Sequence, residues 1–226
     1  MKIFCVIPAW NEEKNINTTI KKALNYVDFL IIVDDCSSDS TLLEAKKVQE
    51  EYQDKIIVLH HPINLGQGAA LQTGNEYAIE HGANIIIHFD GDGQFLAEEI
   101  INLTNPIIEE NYDIVFGSRF MEKKSDIPNF KKNVIMPLAK IFNRIFFGIK
   151  TSDPQIGFRA MTINTAKKIK IENDRMAHCT EILFKAHKYK LKIKEVPVTV
   201  IYKSYGQKFS GAFKIIKDLI YKKISE

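Results

Sequence analysis

The chain has 226 residues, 45% hydrophobic and 26% charged, with 31 basic and 28 acidic side chains and a formal net charge of +3. Such a composition excludes a disordered polymer, and the charge is too mild to indicate a nucleic-acid partner. Cys5, Cys36 and Cys179 are odd in number and lack any Cys-x-x-Cys pair, which argues against a disulfide framework or a zinc site and for a reducing compartment. No stretch approaches the roughly 20 apolar residues of a membrane-spanning helix, and no signal-type segment precedes the first strand.

In chain order, a buried strand is predicted over Ile3–Ile7, ending at Pro8, with a helix over Asn15–Asn25. Phe29–Val33 is the second strand, and the cap-rich turn from Asp34 to Ser40 leads into a helix over Thr41–Glu51. Strand three is Ile56–His60, followed by a helix from about Ala69 to His81, and strand four is Asn84–Phe89. This alternation predicts an α/β fold whose sheet is built from parallel βαβ units. A helix over Ala97–Glu110, bent near Pro106, and a strand over Asp113–Phe116 come next. Later segments read as strands over Phe158–Thr162 and Lys192–Tyr202, flanking a helix over His178–Lys190. Lys131–Gly148 sets Phe142, Phe146 and Phe147 among Lys131, Lys132, Lys140 and Arg144; it reads either as a helix packed on the core or as one lying on an anionic membrane. Ser210–Ile224 is a basic amphipathic terminal helix.

Asp90-Gly91-Asp92-Gly93-Gln94 follows strand four directly. Asp and Gly are ordinary turn residues, but ligand sites in such sheets gather beyond the carboxyl ends of strands. Two carboxylates spaced by one small residue there can hold a hard divalent cation against a diphosphate. An EF-hand is a poor match, lacking a third acid and a distal Glu. Pro8-Ala9-Trp10-Asn11-Glu12 offers an aromatic face, an amide and a carboxylate to a base and ribose, although Glu12 and Glu13 also suit a helix N-terminus. Asp35 can accept hydrogen bonds from a ribose or base edge. Gly66-Gln67-Gly68 can approach phosphate but is neither a Walker loop nor a dinucleotide turn.

Taken together, Ile7 to Glu12, Val33 to Asp39, Asn64 to Ala70, Asp90 to Gln94, Gly117 to Phe120, Asp153 to Arg159, Glu195 to Val198 and Lys203 to Gly206 resemble the ordered motifs of family-two glycosyltransferases. The similarity is to the dolichyl-phosphate mannose synthase and polyprenyl-phosphate glycosyltransferase branch. It implies a GT-A, Rossmann-like fold: a mostly parallel twisted sheet flanked by helices, with C-terminal amphipathic helices. Residues 1–226 would form one domain, with 1–120 holding the nucleotide-sugar and 121–226 facing acceptor and membrane. The resemblance implies inverting, metal-dependent transfer from a GDP- or UDP-sugar to a polyprenyl or dolichyl phosphate. Pro8, Ala9, Trp10, Asn11, Glu12, Val33 and Asp35 would hold the nucleoside. Gln67, Gly68, Asp90, Gly91, Arg159, Lys203 and Lys208 would serve donor or phosphate, and Asp90, Asp92 and Gln94 would bind Mg²⁺ or Mn²⁺. Asp92 and Arg119 would act in catalysis, with Asp153 or Glu181 as the base should the acceptor be a hydroxyl of a surface glycan or protein. A non-enzymatic nucleotide-sugar binder is the third possibility. The implied location is the cytoplasmic face of a membrane, held peripherally or by an anchored partner subunit, with no nucleic acid involved. The chain departs from its relatives at Gln67, where they carry Lys, at Phe95-Leu96-Ala97 in place of His-Pro-Pro, and at Lys208, one position early in its loop.

Overall fold

A computed structural model describes residues 1–121, 151–173 and 177–201. In chain order the strands are β1 (Ile3–Ala9), β2 (Phe29–Asp34), β3 (Ile56–His60), β4 (Ile85–His88), β5 (Ile114–Ser118), β6 (Arg159–Thr162) and β7 (Ile193–Pro197). The helices are α1 (Ile16–Ala23), α2 (Thr41–Glu51), α3 (Gln67–Glu80), α4 (Ile100–Glu110), α5 (Ile163–Lys168) and α6 (Ala177–Lys188), with a 3₁₀ turn over Ala97–Glu99 leading into α4.

All seven strands join one sheet in the order β3-β2-β1-β4-β6-β5-β7. β1 runs parallel to β2 and β4, β2 to β3, and β5 to β7. β6 is antiparallel to both β4 and β5. Its reversed direction brings the chain into the sheet at the edge where β4 and β5 leave it. The loop before Arg159 therefore lies beside their carboxyl ends.

The central strands are buried along almost their whole length, which explains why they read as unbroken apolar runs instead of alternating ones. In α1, burial falls on Ile16, Thr19, Ile20 and Ala23, the stripe expected of a helix with one face on a core. α3 sits close enough to β1 that a Cβ at Gly74 would overlap Val6 Cγ1 and come 3.0 Å from Cγ2. Among the described residues an apolar core cluster runs from Phe4 to Val198.

Several elements differ from the sequence expectation in extent. β1 continues through Pro8 to Ala9: β4 pairs only with Ile3 to Val6, so the missing proline N–H interrupts no ladder on that side. α3 starts at Gln67, two residues earlier than expected. The last expected strand is split: β7 ends at Pro197, and beyond it Val200 forms an isolated antiparallel bridge with Phe95. α5, unanticipated in the sequence, is capped by the Thr162 side chain, which accepts from the Thr165 amide. Lys131–Gly148 and Ser210–Ile224 lie outside the described residues. Among the described residues no helix is long and apolar enough to cross a membrane.

Candidate active site

The carboxyl ends of the strands are laced together by side chains from one loop bonding backbone in the next. From the β1 loop, Asn11 accepts from the Ser38 amide at 2.9 Å and donates its own amide to Ser37 Oγ at 3.0 Å. Asn11 and Cys36 both adopt left-handed backbone, with φ of 56° and 58°. This costs energy in non-glycine residues, less so for Asn, and needs surrounding contacts to hold it. Trp10, beside them, is 57% exposed, an unusual position for the chain's one tryptophan.

Asp35, almost fully buried, links the β2 and β3 loops. Its carboxylate accepts from the Leu65 amide at 2.9 Å and the Gly66 amide at 2.6 Å, and His61 Nδ1 lies 2.8 Å away. His61 in turn reaches Thr73 Oγ1 at 3.0 Å. The sequence reading missed His61, although the β2–β3 register sets His60 opposite Asp34 and so places the next residue beside Asp35.

Beyond the end of β4, Asp92 Oδ1 accepts from the Gln94 amide at 2.9 Å, closing a turn over Asp92-Gly93-Gln94. A Cβ on Gly91 would come 3.2 Å from the Pro8 carbonyl, so this turn adjoins the β1 loop. Gln67, at the first turn of α3, donates to Asp90 Oδ1 at 2.9 Å. Burial, then the neighbouring Asp92 charge, push the Asp90 carboxyl up to about 7. Gly157, from the loop before β6, closes over Asp90 from another side: a Cβ there would overlap Asp90 Oδ2 and fall 2.9 Å from Cγ.

Behind Asp90 lies a buried polar cluster. Arg159 is wholly buried and sits opposite His88 in the β4–β6 register. It donates to the carbonyls of Gly157 (3.0 Å) and Ile156 (2.9 Å) and reaches Cys179 Sγ at 3.2 Å. Burial alone would raise the Cys179 thiol, but the charges of His178 and Arg159 outweigh it and bring it down to about 6. His88 is pushed well below its ordinary value by burial and by those same two charges; its Nε2 lies 2.9 Å from Asn75 Oδ1. The sequence reading placed Gly157 only within a motif and Cys179 only among the cysteines, and gave neither of them nor His178 a role, because Asp90 lies in a distant segment.

Arg119 and Asp153, both expected in catalysis, form a bidentate pair with contacts of 2.6 Å and 2.7 Å, and the Arg119 amide also donates to Asp153. Glu181 accepts from the Asn173 amide at 2.8 Å, binds the Glu172 amide and pairs with Lys185 Nζ at 2.8 Å. Pro8, Ala9, Val33 and Gly68 are backbone neighbours of these loops and largely buried. The Glu12 carboxylate accepts from Asn15 Nδ2 at 3.0 Å, ahead of α1. The Gln94 carbonyl accepts from the Ile201 amide at 2.9 Å, tying the stretch after β7 to the same cluster. Lys203 and Lys208 lie outside the described residues.

Among the described residues no three His, Cys, Asp or Glu side chains form a metal-holding group. Asp90, Asp92 and Gln94 nevertheless carry only oxygen donors toward a cation on the one turn that follows β4. Hard divalent cations accept such a set when substrate phosphates complete the shell. Mutual repulsion between the two carboxylates is what a cation there would relieve.

The mostly parallel seven-strand sheet with an acidic turn at its carboxyl edge is a GT-A type fold. The Glycosyl transferase family 2 profile matches residues 4–170, and the chain belongs to that family. It is 34% identical to the UDP-N-acetylglucosamine–dolichyl-phosphate N-acetylglucosaminyltransferase of Methanococcus voltae, across 99% of this chain and 97% of that protein. The polyprenol monophosphomannose synthase of Mycolicibacterium smegmatis is 25% identical, across 92% of this chain and 80% of its own length. The fold matches the glucosyl-3-phosphoglycerate synthase of Mycobacterium tuberculosis, solved with Mn²⁺, UDP and phosphoglyceric acid. The TM-score is 0.75 at 18% identity, covering 97% of this chain and 78% of that one.

Proposed function

We propose that the protein transfers a sugar from a UDP-sugar to a polyprenyl or dolichyl phosphate, inverting the anomeric carbon and depending on a divalent cation. The observation that carries this reading is the convergence of Asp90 and Asp92 with the loops of Trp10 and Asp35 at one sheet edge. Exposed Trp10 suits stacking on a nucleobase, and the Asp90–Asp92 turn suits the diphosphate. The M. voltae relative is named for a UDP-sugar donor and a dolichyl-phosphate acceptor, which favours UDP over GDP.

In an inverting transfer the acceptor oxygen attacks the anomeric carbon as the nucleoside diphosphate leaves. Bound at Asp90, Asp92 and Gln94, Mg²⁺ or Mn²⁺ would supply neutralisation of charge on the departing diphosphate. Preorganised dipoles and charges at the strand ends then provide much of the remaining stabilisation. A lipid phosphate is already ionised near neutral pH and needs no base. A hydroxyl acceptor needs one, yet Asp153 is engaged by Arg119, and Glu181 by two amides and Lys185. That engagement favours the phosphate acceptor.

The test is incorporation of labelled sugar from a UDP-sugar into organic-extractable lipid, with polyprenyl phosphate and Mn²⁺ present. Asp92→Ala is expected to abolish incorporation without unfolding the protein. Transfer confined to soluble glycan would overturn the acceptor assignment, and full turnover by the variant would overturn the metal assignment.

A further inference from the structure

Arg159 is expected from the family resemblance to serve the donor, yet its guanidinium is wholly buried behind the site. Burying a charge is costly unless hydrogen bonds compensate it. Its bonds to the carbonyls of Ile156 and Gly157, two consecutive residues, use the fork of the guanidinium to fix one short stretch of backbone. That stretch is the wall against which Asp90 rests, since any side chain at Gly157 would occupy the space of the Asp90 carboxylate. Opposite it, Gln67 Nε2 holds Oδ1 at 2.9 Å.

We propose that Gly157 and Arg159 are positioning residues that aim the Asp90 carboxylate at the cation and diphosphate, an inference that rests on the donor-site reading above. β6 makes the arrangement possible: reversed between β4 and β5, it sets Arg159 opposite His88, two residues before Asp90. The loop entering β6 and the turn leaving β4 therefore meet face to face. Arg159 acts through the Ile156 and Gly157 backbone, and Gly157 acts by lacking a side chain. Neither needs to touch the donor.

The experiment titrates UDP calorimetrically, with and without Mn²⁺, into the wild type, Gly157→Ala and Arg159→Lys, and into both substitutions on an Asp90→Asn background. Positioning of Asp90 predicts that the gain in UDP affinity brought by Mn²⁺ shrinks at least about tenfold in each single variant, the scale on which supporting residues tune metal sites. Metal-free UDP affinity should stay at the wild-type value. On the Asp90→Asn background neither substitution should lower the gain further, because the group they position has lost its charge. A Mn²⁺ gain in the single variants equal to that of the wild type overturns the inference while leaving the donor reading intact. Should Gly157→Ala fail to fold, Arg159→Lys decides, since it keeps the charge and loses the two-carbonyl fork. A wild type that takes up no UDP with Mn²⁺ overturns the donor reading and this inference with it.

Discussion

Burial and the charge of Asp92 hold the Asp90 carboxyl at about 7 against an ordinary 3.8, so the folded protein keeps a proton there that the unfolded chain has already lost. A cation bound to this carboxylate must displace that proton. UDP-dependent Mn²⁺ affinity is therefore expected to be flat above pH 7 and to fall by up to about tenfold per unit below it. Calorimetry across pH 5–8 reads the slope, and a flat profile would remove Asp90 from the ligand set. Folding carries the opposite sign: ionising Asp90 costs stability as pH rises from about 4 toward 7, and Asp90→Asn is expected to remove that drift in urea denaturation. Asp35 and Trp10 separate by a second measurement. Asp35→Ala leaves the Leu65 and Gly66 amides without their acceptor, a loss of about 1–3 kcal/mol for a buried group. Both melting temperature and nucleotide affinity should drop. Trp10→Ala, at an exposed site, should lower nucleotide affinity alone.

At the scale of elements, the parallel half of the sheet was legible because β1, β2 and β4 are buried along almost their whole length and, with the half-buried edge strand β3, appear as short apolar runs between helices. The acidic turn after β4 and the Asp35 turn after β2 were legible for the same reason: they close strands, where ligands gather. β6 was readable as a strand, but its reversal was not, since four residues between distant partners carry no direction signal. With that reversal hidden, so were the meeting of Gly157 and Asp90 and the burial of Arg159 behind them. Glu181 shows the complementary difficulty. A carboxylate in a helical stretch looks the same in sequence whether it acts as a base or as a tie. In the fold it holds the 172–173 backbone to α6. Burial pushes its carboxyl up, but Lys185 and the Asn173 amide outweigh that and leave it below its ordinary value. Glu181→Ala is therefore expected to cost about 1–3 kcal/mol at neutral pH. The cost should be fully present above about pH 4.5 and fade as the wild-type carboxylate protonates below it. Denaturation at pH 7 and pH 3 measures this. A collapse of turnover with unchanged stability would instead mark Glu181 as the base.

For the whole molecule, a polyprenyl phosphate acceptor requires the site to stand at a membrane surface, and no described helix can span one. The sequence offers Lys131–Gly148 for that contact, outside the described residues, with Phe142, Phe146 and Phe147 set beside Lys140 and Arg144. Aromatic side chains flanked by cations bind anionic interfaces through buried apolar area and charge attraction together. Replacing the three phenylalanines with serine is thus expected to reduce sedimentation with anionic vesicles by tenfold or more, on the order of 1 kcal/mol lost per ring from apolar burial. Raised salt should weaken binding of the wild type through its cations. UDP with Mn²⁺ should bind the variant as it binds the wild type, because the loops proposed to hold the donor follow strands β1 to β4, remote in sequence from the substituted stretch. Unchanged sedimentation would assign those rings to the protein core, and a parallel loss of UDP binding would place the segment against the donor loops.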